Sequence, residues 1–298
     1  MQIINGQAVA AYIKQQAKKE CEVLSEAGKT PGLAVIIVGE DPASLVYVKN
    51  KITACKEVGI NSFCYKLPAD TDESTISDLI EKFNNDQNVD GILVQLPLPK
   101  TLNERSILSK IDVGKDVDGF SAEQMGKLLL GEGCLSSCTP SGVIQLLKYY
   151  NIPIAGKKAV IVGRSNTVGK PMALMLLSED ATVTICHSRT QNLSEITKTA
   201  DILVVAIGKG KFIKRDMIKE GAVVIDVWMN RIDGKLCGDV DFDAVSEKCS
   251  FITPKAGAMA APAITVRRDR ERIVKVTLFD FLSIRVNVFY KLLMIDFV

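Results

Sequence analysis

The sequence predicts an α/β protein of two domains built on parallel sheets, and three observations predict it. Apolar runs of strand length alternate along the chain with stretches of helical periodicity, the pattern of parallel sheets covered on both faces. At 298 residues the chain is long enough for two cores. One stretch, "VGRSNTVGKP" from Val162 to Pro171, reads as strand, glycine turn and helix in succession.

Taken in order, the chain opens with "MQIINGQAVAAYIKQQAKKE", which mixes polar and apolar residues at helical spacing and lacks the apolar core of a signal peptide. A strand "LAVIIVG" (33–39) follows, then the helix "SLVYVKNKITACKEVG", with Asp41 as N-cap and Pro42 at its first position. Next come the strand "NSFCYKL" (61–67), the helix "ESTISDLIEKFNND" and the strand "GILVQL" (91–96), which two prolines stop. Between Lys100 and Pro140 the alternation breaks among glycine-rich stretches. It resumes with the helix "SGVIQLLKYYN", for which Thr139 is the candidate N-cap and Pro140 the first residue. The strands "KAVIVG" (158–163), "TVTIC" (182–186), "ILVVAIG" (202–208) and "AVVIDV" (222–227) complete the pattern. The expected division is a first domain over residues 1–139, a second, Rossmann-like domain over 140–264, and a tail over 265–298.

Composition narrows the function classes. Hydrophobic residues at 47% and charged residues at 24% describe an ordinary soluble globular protein. A net charge of +2 supplies no global attraction for nucleic acid, and no apolar run approaches the ~20 residues of a membrane helix. The tail carries the basic run "RRDRER" before an apolar-rich segment. Asp280, Arg285, Lys291 and Asp296 interrupt that segment, and "SIRVNVFY" alternates like a strand, so a packed or poorly ordered terminus is expected rather than a membrane-surface helix. Eight scattered cysteines without a C-x-x-C motif, and a single histidine, leave a metal site short of ligands, the Cys134/Cys138 pair included. Reduced thiols in a cytoplasmic protein are the reading that follows.

The glycine turn departs from the G-x-G-x-x-G fingerprint, since Gly163 is followed by Arg164 and Ser165 and the next glycine is Gly169. Gly163 supplies the turn and Gly169 a close approach of helix to sheet, so that backbone N–H groups remain available to a phosphate. Arg164 has a natural partner in the 2′-phosphate that distinguishes NADP from NAD. At the next strand end, "CHSRT" offers Ser188 and Arg189 where a ribose-binding carboxylate would otherwise stand. These donors favour NADP; the alternative is a plain strand-to-helix turn.

In the first half, Tyr47 and Lys51 lie four residues apart, on one face of a helix. An aromatic surface beside an amine suits a flat ring held near a proton donor or acceptor, although an exposed amphipathic helix would carry the same pair. Gln95 ends a strand, where ligands of open α/β sheets bind, or else anchors a loop. In "KDVDGF", Asp118 either accepts hydrogen bonds from a heterocycle or caps the turn; spacing alone leaves both open.

Ten stretches together decide the family. "PASLVYVKNK", "DGILVQLPLP", "KDVDGF", "CTPSG", "VGRSNTVGKPMA", "TVTICHSRT", "ADILVVAIG", "GAVVIDV", "GDVDF" and "FITP" run in register from the start of the chain to about Pro254. In that order they resemble the bifunctional methylenetetrahydrofolate dehydrogenase/methenyltetrahydrofolate cyclohydrolase (FolD-like) family. The resemblance implies a folate site in a cleft between two α/β domains. There methylenetetrahydrofolate gives a hydride to NADP, and water then opens the methenyl ring to formyltetrahydrofolate. It implies Lys51 as the central catalytic group, Gln95 orienting it, Tyr47 stacked on the aminobenzoyl portion of folate and Asp118 holding the pterin edge. Gly163, Arg164, Ser165 and Ser188 match the family's cofactor contacts, and Thr139 and Met229 complete the cofactor set. A cytoplasmic homodimer serving one-carbon metabolism, with no nucleic-acid or membrane partner, is the setting the resemblance implies.

This chain departs from the pattern in places. Thr53 and Ser121 replace a frequent lysine and histidine, changes expected to be tolerated. Trp228-Met229-Asn230 follows "IDV" where the family usually reads Gly-Ile-Asn, and indole bulk there would crowd the nicotinamide half of the cofactor. After Pro254 only Gly257 of the family's glycine-rich loop is in place and no return helix is recognisable, an abrupt change of the kind a shifted reading frame produces. An active bifunctional enzyme is therefore set against a catalytically impaired folate/NADP-binding homologue, or one that keeps the cyclohydrolase alone.

Overall fold

The computed structural model describes residues 1–233, 235–254, 263–268 and 273–279. Two compact units divide the chain, one formed by residues 11–138 with 263–268 and 273–279, the other by residues 1–10 and 139–254. The chain begins in the second unit with β1 (Gln2–Ile3) and passes to the first through α1 (Gly6–Glu26).

The first unit is a three-stranded parallel sheet, with β2 (Gly32–Val38) between β3 (Asn61–Leu67) and β4 (Gly91–Val94). All seven residues of β2 are buried, because alternate side chains enter two separate cores. Leu33, Val35 and Ile37 pack with Cys21 and Leu24 of α1 and with Val48 and Cys55 of α2 (Pro42–Val58). Ala34, Ile36 and Val38 pack with Ile76, Ile80 and Phe83, the one-face stripe of α3 (Glu73–Asn85). Asp41 caps α2 as expected, its Oδ2 accepting from the Ser44 N–H at 2.8 Å, with Pro42 at the helix start. β4 stops at Val94, so Gln95 lies beyond the strand end, just ahead of a cis Leu96–Pro97 bond. The break in alternation holds two short helices, α4 (Glu104–Leu108) and α5 (Ala122–Leu130).

The second unit is a six-stranded sheet, parallel throughout. Its elements are α6 (Cys138–Tyr149), β5 (Lys158–Val162), α7 (Gly169–Leu177), β6 (Thr182–Cys186), α8 (Leu193–Thr197), β7 (Ile202–Val205) and β8 (Val223–Asp226). A small antiparallel pair, β9 (Asn230–Ile232) and β10 (Lys235–Cys237), precedes α9 (Phe242–Val245) and β11 (Phe251–Ile252). The strand order β1-β11-β8-β7-β5-β6 makes β1 an edge strand. From β5 the chain moves outward to β6 and then returns to the other side as β7, so the direction of winding reverses between β5 and β7. Ligands of open parallel sheets bind at such a reversal, outside the carboxyl ends of the strands. α6 begins at Cys138, which places Thr139 inside its first turn rather than at its cap. Pro140 is tolerated there because first-turn N–H groups have no intrahelical partner. Past residue 254, β12 (Ala263–Arg268) and β13 (Ile273–Phe279) form an antiparallel pair belonging to the first unit. The expectations for the loop after Pro254 and for the stretch from Asp280 onward fall outside the described residues.

At the end of β5, Gly163 has a φ of +134°, and a β-carbon added to it would lie 2.3 Å from the Ala206 carbonyl oxygen beyond β7. Gly163→Ala is therefore expected to destabilise this unit by about 2 kcal/mol, measured as a lower urea midpoint in the fluorescence of Trp228, the only tryptophan. Gly156→Ala serves as the control; its φ is +72° and nothing lies within 4 Å of the added carbon, so a smaller loss is expected.

Candidate active site

Helix α2 sets Tyr47, half-buried, one turn before Lys51, which is 7% exposed. The Lys51 Nζ donates to Gln95 Oε1 at 2.9 Å, across the gap between α2 and the end of β4. Gln95, 9% exposed, spends its amide Nε2 on the Leu96 carbonyl at 2.7 Å. That bond fixes which way the amide faces, so its oxygen is the atom presented to the ammonium.

Asp118 lies within the electrostatic reach of Lys51. Burial pushes its carboxyl up from 3.8 to about 6, against the attraction of Lys51, with Asp116 adding to the rise. The Cys138 thiol donates toward Asp118 Oδ1 at 3.6 Å and toward the Val117 carbonyl at 3.9 Å. The turn itself is held by Asp116, whose Oδ1 accepts from Gly119 N–H at 3.0 Å and whose Oδ2 accepts from Ser121 N–H at 2.8 Å. Between the two readings of Asp118, this geometry gives the turn to Asp116 and leaves Asp118 facing Lys51 and Cys138. Tyr47, Lys51, Gln95 and Asp118 thus come from α2, the end of β4 and the turn before α5, all within the first unit. A buried amine, a neutral acceptor and a carboxyl that titrates near neutrality can together hold and move a proton. Cys138 was invisible as a member of this group, because a thiol twenty residues from its acceptor carries no local signal.

In the second unit, Gly163, Arg164 and Ser165 leave the end of β5, and Ser188 follows β6, which pairs with β5. The Gly163 N–H donates to the Cys186 carbonyl at 2.9 Å, tying the two strand ends together. Ser165 Oγ accepts from Val168 N–H at 3.1 Å and Gly169 N–H at 3.3 Å, so it secures the entry to α7. Arg164, Ser188 and Arg189 are exposed, and neither guanidinium enters an ion pair among the described residues. Two cations and a hydroxyl donor beside a close glycine turn fit a dinucleotide that carries an extra phosphate. Thr139 sits in the first turn of α6, and Met229, half-buried, lies in the connection from β8 to β9.

Two carboxylates that the sequence did not single out organise this edge. Asp239 Oδ2 accepts from Ile207 N–H at 2.7 Å and Gly208 N–H at 3.0 Å, and its Oδ1 accepts from Lys209 N–H at 2.7 Å and Asn230 Nδ2 at 2.8 Å. Asp226, at the end of β8, accepts in turn from the Asp239 and Val240 N–H groups. Burial pushes the Asp226 carboxyl up to about 7, the backbone donors oppose the rise, and the Asp239 charge adds to it. Both residues stand in quoted motifs, "AVVIDV" and "GDVDF", whose spacing does not reveal that they meet. The indole of Trp228 rests on this loop: a β-carbon added to Gly208, whose φ is +66°, would lie 3.0 Å from Nε1 and 3.3 Å from Cδ1. Trp228 is 48% exposed. Among the described residues no group of three or more His, Cys, Asp or Glu could hold a metal ion, and no helix is long and apolar enough to cross a membrane.

Comparison with known proteins matches residues 4–118 to the tetrahydrofolate dehydrogenase/cyclohydrolase catalytic domain. Residues 137–267 match the NAD(P)-binding domain of the same family. The chain is 54% identical over 267 residues to the bifunctional protein FolD of Campylobacter hominis, covering 89% of this chain and 94% of that one. It is 50% identical over 265 residues to its counterpart from Bacillus subtilis, covering 89% and 94%. Among solved structures, the bifunctional FolD enzyme of Campylobacter jejuni superposes with a TM-score of 0.85 at 47% identity, over 87% of this chain and 92% of that one. The Trypanosoma brucei dehydrogenase-cyclohydrolase, solved with NADP and an inhibitor, superposes with a TM-score of 0.81 at 34% identity, over 86% and 91%.

The raised carboxyl of Asp118 has a consequence for stability. The folded chain binds that proton more tightly than the unfolded chain, so stability is lost as pH rises from 3.8 through about 6. Asp118→Asn removes that loss. The stability of the variant relative to the parent should therefore grow across this window and level off above it, in urea titrations followed by circular dichroism. A difference independent of pH would count against an Asp118 that titrates in this window.

Proposed function

The chain belongs to the tetrahydrofolate dehydrogenase/cyclohydrolase family, and on that premise we propose how its own residues carry the family's two reactions. It is an NADP-dependent methylenetetrahydrofolate dehydrogenase and a methenyltetrahydrofolate cyclohydrolase, oxidising the methylene compound and hydrolysing the product to formyltetrahydrofolate. The observation that carries the assignment of residues is the buried hydrogen bond between Lys51 and Gln95, with Asp118 as its charged neighbour. NADP, when bound, supplies the hydride acceptor; the remaining work falls to the protein.

The folate chemistry is assigned to residues 1–139 and cofactor binding to 140–264, a division supported by the separate matches of the two domain models. Tyr47 offers its ring to the aminobenzoyl portion of the substrate, and Asp118 accepts from the pterin edge. Loss of hydride leaves a methenyl cation. Water adds to its carbon and loses a proton, then the bond from that carbon to one ring nitrogen breaks as the nitrogen is protonated. Lys51 is the group placed to relay these protons. Gln95 holds it in position through an amide that is itself fixed by the Leu96 carbonyl. Arg164, with Ser188 and Arg189 on the neighbouring strand end, receives the 2′-phosphate; Gly163, Ser165, Thr139 and Met229 complete the cofactor contacts. Retention of Tyr47, Lys51, Gln95 and Asp118 in one corner supports full activity over an impaired homologue. The protein is read as a cytoplasmic homodimer of one-carbon metabolism, supplying purine, methionine and histidine biosynthesis without nucleic-acid or membrane partners.

Two variants test this reading. Lys51→Met is expected to lower the hydrolysis rate of methenyltetrahydrofolate by about a hundredfold or more, while calorimetric binding of NADP stays unchanged. An active variant would remove Lys51 from the chemistry. Arg164→Ala is expected to weaken NADP by about ten- to a hundredfold and leave NAD nearly unaffected; equal losses for both would move the phosphate contact elsewhere.

A further inference from the structure

Trp228 is a large side chain at the carboxyl edge of the second sheet that the reaction leaves unused. It follows β8, next to β7, and its indole covers Gly208, two residues beyond Ala206. Ala206 is the residue whose carbonyl oxygen crowds Gly163 at the end of β5. The winding of this sheet reverses between β5 and β7, so the indole stands one strand away from the reversal. The backbone beneath it is fixed: the N–H groups of Ile207, Gly208 and Lys209 all end on Asp239, which also holds Asn230 two residues after the indole. An aromatic surface left 48% exposed on so firmly held a loop gains by being covered with another flat ring. No side chain at Gly208 competes for the space, since a β-carbon there would meet the indole itself.

Building on the cofactor reading above, we propose that Trp228 is the stacking platform for the nicotinamide ring, and that it makes the protein hold the oxidised cofactor more tightly than the reduced one. The oxidised ring is a pyridinium cation and the reduced ring a neutral dihydropyridine. The face of an indole carries negative electrostatic potential and attracts a cation over a neutral ring. The chain thereby gains differential affinity between the two redox forms from one side chain, and reduced cofactor leaves more readily after hydride transfer. Trp228 is then a determinant of cofactor redox-state preference rather than an obstruction.

The test uses the full chain and its only tryptophan. Oxidised NADP, reduced NADP and 2′-phospho-ADP-ribose, which lacks the nicotinamide, are titrated by calorimetry while Trp228 emission is followed. Oxidised NADP should quench the emission, and 2′-phospho-ADP-ribose should bind and leave it nearly unchanged. The ratio of the dissociation constants, reduced over oxidised, should fall about threefold in Trp228→Gly and less in Trp228→Phe. Binding of both cofactor forms with no change in emission, or a ratio that stays within about 1.5-fold in both variants, would overturn the proposal and leave the NADP assignment standing. No heat of binding from any of the three ligands would overturn the assignment of NADP itself, and this inference with it.

Discussion

Strands of a parallel sheet that run the same way all release the chain at one edge, and the loops there carry backbone N–H groups that need acceptors. Buried carboxylates meet that need in both units. Asp116 collects the amides of the turn that leads to α5, and Asp239 collects three consecutive amides after β7 and the side chain of Asn230. Each carboxylate accepts charge-assisted bonds, which are shorter and stronger than neutral ones and offset the cost of burying the charge. Asp226 then binds the amide of Asp239 itself, so the second loop hangs from a chain of two acids at the end of β8. The chemical groups of the protein are carried on these held loops or on helices beside them, where a small displacement would cost positioning.

In the first unit the same arrangement leaves one acid outside the bonds that hold the turn. Asp116 satisfies the turn, so Asp118 is spared for Lys51 and the Cys138 thiol. Burying an ammonium costs several kcal/mol unless it is paired and hydrogen-bonded. Lys51 has Gln95 for the bond and the Asp118 carboxyl within electrostatic reach. Because burial pushes the Asp118 carboxyl up to about 6, the charge balance of the corner changes with pH around that value.

The second unit is arranged around donors rather than acids at its outer face. Arg164 and Arg189 stand in solvent with no ion pair among the described residues, while the acids nearby are buried and turned toward the backbone. The sign of the exposed charge at this edge is therefore positive, as a phosphorylated dinucleotide requires. Ser165 illustrates a division of labour within one side chain. Its oxygen accepts from the amides of Val168 and Gly169 where the chain enters α7, and the same group keeps an O–H to donate.

The sequence by itself determined the periodic elements and the local ends. The strands at 61–67 and 182–186, the Asp41 cap and the one-turn spacing of Tyr47 and Lys51 follow from pattern and capping chemistry that act within a few residues. Ten motifs in register were enough to place the chain among its relatives, because ancestry is written in order and spacing. Only the tertiary structure decided which acids hold the loops. Asp116 and Asp118 are two residues apart and alike in sequence, and they differ because one meets backbone amides and the other meets the Cys138 thiol within the electrostatic reach of Lys51. It alone joined Asp226 to Asp239, set β1 on the edge of the second sheet, and laid the indole of Trp228 on Gly208, while the bond from Lys51 to Gln95, 44 residues apart, was expected from the family resemblance and not from any local spacing. Those are contacts between segments far apart along the chain, formed by burial and hydrogen-bond satisfaction in the packed state, and no local pattern encodes them.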